Sequence, residues 1–402
     1  MQNRFEVVIV GSGPAGLSAA GRAAELGLSH LLLESTTHLA NTIQRYQKGK
    51  HVMAEPGFLP LRSSLPFDAG SREDILAAWL KNAKKLGIKV AWNADVTAIS
   101  GQRGDFVLQT RSGKSVRAKH VVLAIGLQGN PRKLGVPGED QPFVQYQLDD
   151  PDEYQNESIM VVGAGDSAIE NALALARQNK VSLINRRDEF ARAKEGNLKQ
   201  LEDAIERGRI KVFFNSSLRS IEAQGSSEYR AQVSLNTNEG EVLVPVDRII
   251  ARLGAIPPRD FVESCGIRFP NKSANAVPEL THQYESNVPG LYVIGALAGY
   301  PLIKQAMNQG YEVIEHILGR DIKPVDHDLL ANKFAGLPFG LDVEQTLEKI
   351  KNSVLCFGPV NSLRFRELIL ESEVHTPKAG QLIFSRNDYT NSFYSIVEGS
   401  VE

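Results

Sequence analysis

Two glycine-rich turns, each between an apolar strand pattern and a helical pattern, constrain the fold of this chain most. The first turn follows the β-branched run Glu6–Val10 and places Gly11, Gly13 and Gly16 at G-x-G-x-x-G spacing. This order predicts a buried parallel strand followed by a helix whose N-terminal amides meet a pyrophosphate. Glu34, at the end of the next predicted strand, is placed to bind an adenosine ribose. The alternative is an ordinary tight turn without a ligand.

The same order returns roughly one domain length later. A second apolar strand, Ile159–Val162, is followed by Gly163 and Gly165, a helical pattern and the strand Val181–Asn185. A single glycine fingerprint is a weak signal, but two in matching strand–turn–helix settings predict two Rossmann-type dinucleotide units.

The end of the second strand differs between the two units. Where the first unit has an acid, the second has Asn185, followed by Arg186 and Arg187 and then by Arg192 and Lys194. An acid would accept the 2′-hydroxyl of NADH and repel a 2′-phosphate. Cations and the amide of Asn185 are expected to do the reverse, because guanidinium groups match phosphate oxygens. The cluster therefore favours NADPH, and a solvated basic surface is the alternative.

Later strands indicate how the units are connected. Val121–Gly126 reads as a strand leaving the first unit, and Ile249–Gly254 as its counterpart in the second. Gly290–Gly295 is a further buried strand, and Lys304–Leu318 a helix. The simplest arrangement is an α/β fold of two Rossmann-like three-layer nucleotide-binding domains, with the second inserted in the first.

We therefore divide the chain into four parts. The predicted FAD-binding domain is discontinuous (1–127 and 285–320), and the predicted NAD(P)H-binding domain is 128–284. A linker and helix follow (321–360), and the last part is 361–402.

The residues after Gly319 have a different character. Asp321–Leu341 is rich in Pro, Gly, Asp and Lys and predicts a linker. Val343–Val354 and Ser362–Leu370 are amphipathic helical patterns. The short alternating segments Gln381–Phe384 and Ser392–Val397 predict strands.

Composition and charge argue against several classes of protein and of binding partner. The formal net charge of −2 gives no reason to expect nucleic acid or an anionic membrane as a partner, and no apolar run is long enough to cross a bilayer. The N-terminus enters a strand at once, so we expect a cytoplasmic protein without a leader peptide. Cys265 and Cys356 form neither a disulfide framework nor a zinc pattern, and both are expected to be unreactive. We predict no metal site.

From Phe5 to Gly319 the chain resembles the low-molecular-weight thioredoxin reductase group of flavoproteins. The motifs that carry the resemblance are GSGPAG from Gly11, VVGAGDSAIENALALA from Val161, NRRDEFARAK from Asn185 and KQAMNQG from Lys304. The resemblance implies FAD and NADPH as cofactors, a homodimer, and rotation between the two domains.

The resemblance also implies the site residues. In the FAD site we place Gly11, Ser12, Gly13, Pro14, Ala15, Gly16, Glu34, Ser35, Thr42, Gln47, Val96, Ala124, Gly126, Gly295, Ala296, Lys304, Gln305 and Ala306. In the NADPH site we place Gly163, Gly165, Asp166, Ser167, Arg186, Arg187, Arg192 and Lys194. The N-terminus of the helix at Lys304 is expected to face the flavin pyrimidine edge, with an ordinary surface helix as the alternative.

The loop Thr42–Pro56 is long for a surface connection. It is either a functional loop near the isoalloxazine or an Ω-loop without chemistry, and we interpret His51 as structural.

Three departures from the group matter. Its Cys-x-x-Cys normally precedes the second glycine motif, but Phe143–Ser158 holds no cysteine. The group has a Gly-Asp pair whose acid holds the ribityl chain of FAD. This chain has Gly295-Ala296 at that position, so another residue must hold the ribityl chain. Ala191 stands where an arginine would, which shifts the second cationic cluster by one residue.

Without the dithiol, the chain is more similar to ferredoxin–NADP reductases of thioredoxin-reductase type and to bacillithiol disulfide reductases. The latter carry a cysteine in the first glycine loop, where this chain has Ala15.

The tail from about Leu363 to Glu402 resembles the start of a cyclic nucleotide-binding domain. The pattern HTPKAGQLIFSRNDYTNSFYSIVEGSVE, from His375, matches the opening strands of that β-roll. Its phosphate-binding cassette would lie downstream. We therefore expect a truncated α/β-roll segment here, and cyclic nucleotide binding only in a longer chain.

Three hypotheses of function follow. In the first, NADPH reduces FAD and the electrons pass to an external acceptor, which is a ferredoxin-like protein, an appended domain or a small oxidant. The second is a non-turnover flavin/NADPH redox sensor coupled to the cyclic nucleotide-binding segment. The third is a low-molecular-weight disulfide reductase acting through Cys265.

Overall fold

The computed structural model describes residues 4–127, 129–191, 193–225, 228–273, 276–360, 362–385, 387–388 and 392–402. Within these ranges, no helix combines the length and the apolar character that crossing a membrane requires.

The first nucleotide unit alternates strands and helices before it ends in an antiparallel meander. Its elements are β1 (Arg4–Val10), α1 (Pro14–Glu25), β2 (His30–Leu33), α2 (Asn41–Gln44), β3 (His51–Val52), β4 (Gly70–Ser71), α3 (Arg72–Leu86), β5 (Val90–Ala91), β6 (Val96–Gln102), β7 (Asp105–Thr110) and β8 (Ser115–Leu123).

The main sheet of this unit has the strand order β5-β2-β1-β8-β7-β6. Strand β1 is apolar on both faces because it lies in the middle of the sheet. Val7 and Ile9 belong to one core cluster with α1, and Val8 and Val10 belong to the cluster on the opposite face. Burial on both faces explains why the sequence shows a continuous apolar run here.

The second unit follows with its own sheets. Its elements are β9 (Val144–Gln145), β10 (Ser158–Val162), α4 (Asp166–Leu175), β11 (Lys180–Ile184), α5 (Glu195–Glu206), β12 (Ile210–Phe213), β13 (Ser217–Ala223), β14 (Ala231–Thr237), β15 (Gly240–Val246) and β16 (Arg248–Ala251). The next helix, α6 (Arg259–Ser264), packs its Val262 in the core cluster of the first sheet. A parallel sheet runs β12-β11-β10-β16-β9, and β13-β14-β15 form a separate antiparallel sheet.

The chain then returns to the first unit. Strand β17 (Leu291–Val293) pairs in parallel with the later half of β8, and α7 (Ile303–Ile317) packs on α1. The two helices approach closely, because a Cβ on Gly310 would lie 2.2 Å from the carbonyl oxygen of Ala15. The predicted two-domain α/β fold, with the second unit inserted in the first, is confirmed. The exact domain boundaries stay predictions.

Element boundaries differ slightly from the sequence patterns. Helix α1 begins at Pro14, inside the glycine motif, because the fixed φ of proline suits the first helical position. Strand β8 ends at Leu123, so Ala124 and Gly126 follow it as loop residues.

The predicted linker at residues 321–341 is partly wrong. It contains α8 (His327–Phe334), whose buried Leu330 and Phe334 pack with α9 (Val343–Ser353) and α10 (Ser362–Glu371). The helix is stable because its apolar side is covered, which local composition did not reveal. The amphipathic patterns at α9 and α10 are confirmed as helices.

The two predicted C-terminal strands are not formed. Gln381–Phe384 and Ser392–Val397 have no strand assignment, and the side chains of Leu382 and Phe393 are exposed. A strand needs a neighbouring strand for its backbone groups, and none of the sheets in the described part of the chain includes these segments. The similarity to a cyclic nucleotide-binding domain therefore stays a prediction of the sequence alone.

Candidate functional site

The first glycine loop is shaped by close backbone contacts. Gly11 has a φ of +99°, and a Cβ there would lie 2.6 Å from the Ala124 carbonyl oxygen. A Cβ on Gly16 would lie 1.9 Å from the Gly11 carbonyl oxygen. Gly13 is the N-cap of α1 and Pro14 opens the helix, and no side chain caps its first amides. The loop thus offers free N–H donors at a helix N-terminus, which suits a pyrophosphate.

Glu34 organises this loop. Its Oε2 accepts hydrogen bonds from the backbone nitrogen (3.1 Å) and hydroxyl (2.5 Å) of buried Ser12. Its Oε1 accepts from the backbone nitrogen (2.8 Å) and hydroxyl (2.9 Å) of Thr36, and more weakly from the hydroxyl of Ser35 (3.3 Å). The carboxylate lies beside the glycine loop as the sequence predicts, and ribose binding by it stays a prediction.

The start of α7 lies against the same loop. Gly295 has a φ of +74°, and a Cβ there would lie 3.0 Å from the Cβ of Ala15 and 3.8 Å from that of Ala306. Ala296 follows in a 3₁₀ turn. The geometry brings the predicted residues of α7 and the first glycine loop together.

The side chains of Lys304 and Gln305 have partners that the sequence did not indicate. Lys304 Nζ donates to the Pro56 carbonyl oxygen at 2.9 Å. Gln305 Nε2 donates to Glu367 of α10 at 2.8 Å, while its buried Oε1 has no partner among the described residues. A buried acceptor without a donor fits an N–H of a ring bound beside it.

The remaining residues predicted at the FAD site lie on several different elements. Thr42 lies in α2, Val96 is a buried residue at the start of β6, and Gly126 has a φ of +63°. Gln47 faces the second unit, where its Oε1 accepts from Asn171 Nδ2 at 3.0 Å.

The second glycine loop repeats the geometry of the first. Gly163 has a φ of +143°, and a Cβ there would lie 2.4 Å from the carbonyl oxygen of Arg252. Gly165 is the N-cap of α4, with no side-chain cap. Asp166 Oδ1 accepts from the backbone nitrogen of Lys194 at 2.9 Å and from Asn197 Nδ2 at 2.8 Å, and Ser167 is next in the helix.

Asn185 shapes the basic turn instead of facing a ligand. It is 2% exposed; its Oδ1 accepts from the Arg187 backbone nitrogen at 3.0 Å, and its Nδ2 donates to the Glu189 carbonyl oxygen at 2.8 Å. The expectation that this amide helps select a 2′-phosphate is therefore wrong, because both its polar atoms are committed to the turn. Arg186 and Arg187 are exposed beside it, as expected of phosphate-binding groups.

Two further cations, Arg192 and Lys194, are predicted at the NADPH site. Lys194 Nζ forms an ion pair with Glu55 of the first unit at 2.7 Å. Arg192 lies outside the described residues.

Further contacts cross between the units at α4. Lys50 Nζ pairs with Glu170 at 2.6 Å, next to the contact between Gln47 and Asn171. The loop Thr42–Pro56 thus rests on the helix that follows the second glycine loop, and its role near the isoalloxazine stays a prediction.

The chain is similar to known proteins in sequence and in fold. A profile of the pyridine nucleotide-disulphide oxidoreductase family matches residues 8–295. The chain belongs to this family.

Curated relatives cover most of the chain. The ferredoxin–NADP reductase of Ignicoccus hospitalis is 29% identical over 309 residues, covering 76% of this chain and 94% of the relative. The ferredoxin–NADP reductase of Gluconacetobacter diazotrophicus is also 29% identical, over 316 residues, covering 76% and 88%.

Solved structures agree in fold. A bacillithiol disulfide reductase from Staphylococcus aureus superposes with a TM-score of 0.70 at 22% identity, covering 79% of this chain and 99% of that one. Thioredoxin reductase from Lactococcus lactis gives 0.65 at 24% identity, covering 78% and 98%. At these identities the likeness shows the fold alone.

The cysteines of this family member are not arranged as a redox pair. Cys265 lies 7% exposed at the end of α6, while Cys356 is exposed in the C-terminal part, and both are free. Burial raises the pKa of the Cys265 thiol to about 11. The thiol that a disulfide reductase would need is therefore protonated and covered.

Proposed function

We propose that this chain is an NADPH-dependent FAD flavoprotein that passes electrons to an external protein acceptor resembling ferredoxin. The observation that carries the proposal is the pair of uncapped glycine loops, one in each Rossmann unit, in a chain without a paired dithiol. The names of the curated relatives support a ferredoxin-type acceptor.

FAD is held by the first unit. The amides at the start of α1 bind its pyrophosphate, and Ser12 and Glu34 set the shape of that loop. The N-terminus of α7 and the unpaired Oε1 of Gln305 are suited to the polar edge of the flavin, since a helix N-terminus stabilises negative charge.

NADPH is held by the second unit. The amides at the start of α4 bind its pyrophosphate, and the exposed Arg186 and Arg187 bind its 2′-phosphate. When bound, NADPH supplies a hydride to FAD, which releases the electrons to the acceptor.

The missing dithiol supports an external acceptor, and the resemblance to thioredoxin reductases supports a dimeric assembly. Since no cysteine pair lies between the units, the electrons leave through a partner, for which we propose a ferredoxin-like protein. A homodimer is the expected assembly.

The test is anaerobic addition of NADPH or NADH to the FAD-loaded protein. NADPH is expected to bleach the visible flavin absorbance at lower concentration than NADH. Steady-state NADPH oxidation is then measured with ferredoxin, thioredoxin and small disulfides, and ferredoxin is expected to support the fastest turnover. Flavin that stays oxidised with NADPH would overturn the proposal.

A variant in the second glycine loop tests the NADPH site separately from the FAD site. A Cβ on Gly165 meets no atom within 4 Å and its φ of −96° suits any residue, so Gly165→Val is compatible with the fold but fills the pyrophosphate cradle. The variant is expected to keep FAD and to be bleached by dithionite, but not by NADPH.

One contact favours a second candidate, the redox sensor. Gln305 donates to Glu367, so the predicted flavin edge is linked directly to α10 of the C-terminal part. Full bleaching by NADPH combined with negligible turnover on ferredoxin, quinone and dye acceptors would favour this alternative.

A further inference from the structure

Arg252 lies at the end of a central strand of the second nucleotide unit. It directly follows β16, and its backbone nitrogen donates to the Val162 carbonyl oxygen at 2.7 Å. Its own carbonyl oxygen is the atom that a Cβ on Gly163 would strike. The residue therefore borders the second glycine loop.

The guanidinium of Arg252 has one buried nitrogen without a hydrogen-bond partner in the described part of the chain. Nη1 donates to the Tyr146 carbonyl oxygen at 2.9 Å, and the buried Nε has no hydrogen-bond partner among the described residues. Burial lowers the pKa of Arg252 from its ordinary value, which means that its charge is poorly solvated where it lies.

Nearby acids do not compensate this charge. Glu170 of α4 and Asp149 attract Arg252, as does the hydroxyl of Tyr46 from the first unit. However, Glu170 is paired with Lys50 at 2.6 Å, and Asp149 accepts from Gln147 at 2.5 Å. No carboxylate in the described part of the chain lies within 4.0 Å of the guanidinium. Buried polar nitrogens are normally hydrogen-bonded, so the Nε of Arg252 is suited to an oxygen of a bound ligand.

Sheet topology indicates which ligand passes this position. The order β11-β10-β16 places the ends of three parallel strands side by side. Arg186 and Arg187 follow β11, the glycine loop follows β10, and Arg252 follows β16. In such sheets a dinucleotide crosses the crevice where the strand order reverses, which here lies between β10 and β16.

We propose that Arg252 binds an oxygen of the nicotinamide half of NADPH. This rests on the proposed function of the second unit. If the adenine half lies over β11 and the pyrophosphate over β10, the nicotinamide half reaches β16 and the face shared with Tyr46 of the first unit. The guanidinium then meets the nicotinamide-side phosphate, ribose or carboxamide, and holds the ring toward the first unit.

Binding of three ligands to the oxidised, FAD-loaded protein tests the proposal. Isothermal titration calorimetry is done with 2′,5′-ADP, with 2′-phospho-ADP-ribose and with NADP⁺, which extend stepwise from the adenine half. Arg252→Gln is expected to weaken NADP⁺ about tenfold or more, the effect of losing one hydrogen bond to a charged group, and to leave 2′,5′-ADP within about twofold. Equal losses for NADP⁺ and 2′-phospho-ADP-ribose would place the contact on the phosphate or ribose; a loss for NADP⁺ alone would place it on the nicotinamide.

Two further variants complete the design. Arg252→Lys keeps the charge but loses the planar fork, and is expected to recover only part of the NADP⁺ affinity. Arg186→Gln is expected to weaken all three ligands equally, because each carries the 2′-phosphate.

Two results would overturn the proposal. An equal loss of 2′,5′-ADP and NADP⁺ in Arg252→Gln would mean that the residue acts on the fold or the adenine half, and unchanged NADP⁺ affinity would mean that it makes no contact. A wild-type protein that binds none of the three ligands would instead reject the proposed function itself.

Discussion

Cys265 illustrates how the surroundings of one residue decide its chemistry. Its thiol lies among Phe106, Val262 and Ile267 in the core cluster on one face of the first sheet, and burial raises its pKa to about 11. Since only the thiolate is nucleophilic, a higher pKa means less reactive thiol at any pH below it. The expectation that Cys265 is unreactive thus has a physical basis that the sequence alone did not provide.

We predict that iodoacetamide at pH 8 alkylates exposed Cys356 well before Cys265. At that pH about one Cys265 thiol in a thousand is ionised, and the fraction rises about tenfold for each pH unit. Peptide mass spectrometry over time measures both rates, and unfolding in guanidinium should make them similar. Fast labelling of Cys265 in the native protein would contradict this account, as would loss of ferredoxin turnover in Cys265→Ser.

At the scale of elements, a buried ion-pair group joins the C-terminal helices. Arg366 of α10 is 8% exposed; its Nε lies 2.8 Å from both carboxylate oxygens of Asp326, before α8, and its Nη1 lies 2.6 Å from Glu344 of α9. One side chain thus ties three helices that are separate in sequence.

Arg366→Leu is expected to destabilise the protein by about 3 kcal/mol, because it leaves the buried carboxylate of Asp326 without a partner. Urea denaturation followed by circular dichroism measures the change. Adding Asp326→Asn should recover part of the loss, since it removes the uncompensated charge.

The matched control for Arg366 is Arg219→Leu, which breaks an exposed pair with Glu241. Exposed pairs contribute about 1 kcal/mol or less, so this variant should stay close to wild type. If Arg366→Leu is no more destabilising than Arg219→Leu, the buried group does not hold the helices together.

At the scale of the whole molecule, polar contacts join the two units. Lys50 pairs with Glu170, Gln47 accepts from Asn171, and Lys194 pairs with Glu55. The last pair has a functional consequence. Glu55 of the first unit is paired with Lys194, a cation that the sequence pattern places at the 2′-phosphate of NADPH.

Glu55→Gln is therefore expected to tighten NADP⁺ binding by up to about fivefold, the size of an exposed ion pair, without changing NAD⁺ binding. Calorimetric titration with both nucleotides measures the effect. Glu6→Gln breaks a similarly exposed pair with Lys119 far from the second unit and should change neither affinity. Equal tightening of NAD⁺ and NADP⁺ would argue against a role of Lys194 at the 2′-phosphate.

The sequence by itself determined the features that depend on local backbone geometry. The glycine loops at Gly11 and Gly163, the acid Glu34 and the basic turn at Arg186 all lie where spacing and strand patterns predict. A position that has no room for a Cβ requires glycine, and a strand buried on both faces requires a continuous apolar run. Both patterns span only a few residues, so the sequence alone locates these features.

Only the tertiary structure decided which distant groups meet. The unpaired Arg252 beside Gly163, Glu55 on Lys194 and Glu367 on Gln305 join residues from separate elements, with no spacing signal to indicate them. The amide of Asn185 is a related case, since its burial and its two hydrogen bonds within the turn leave it unable to bind a phosphate. The C-terminal segments failed as strands because alternation predicts a face, while a strand also needs a neighbour to pair with.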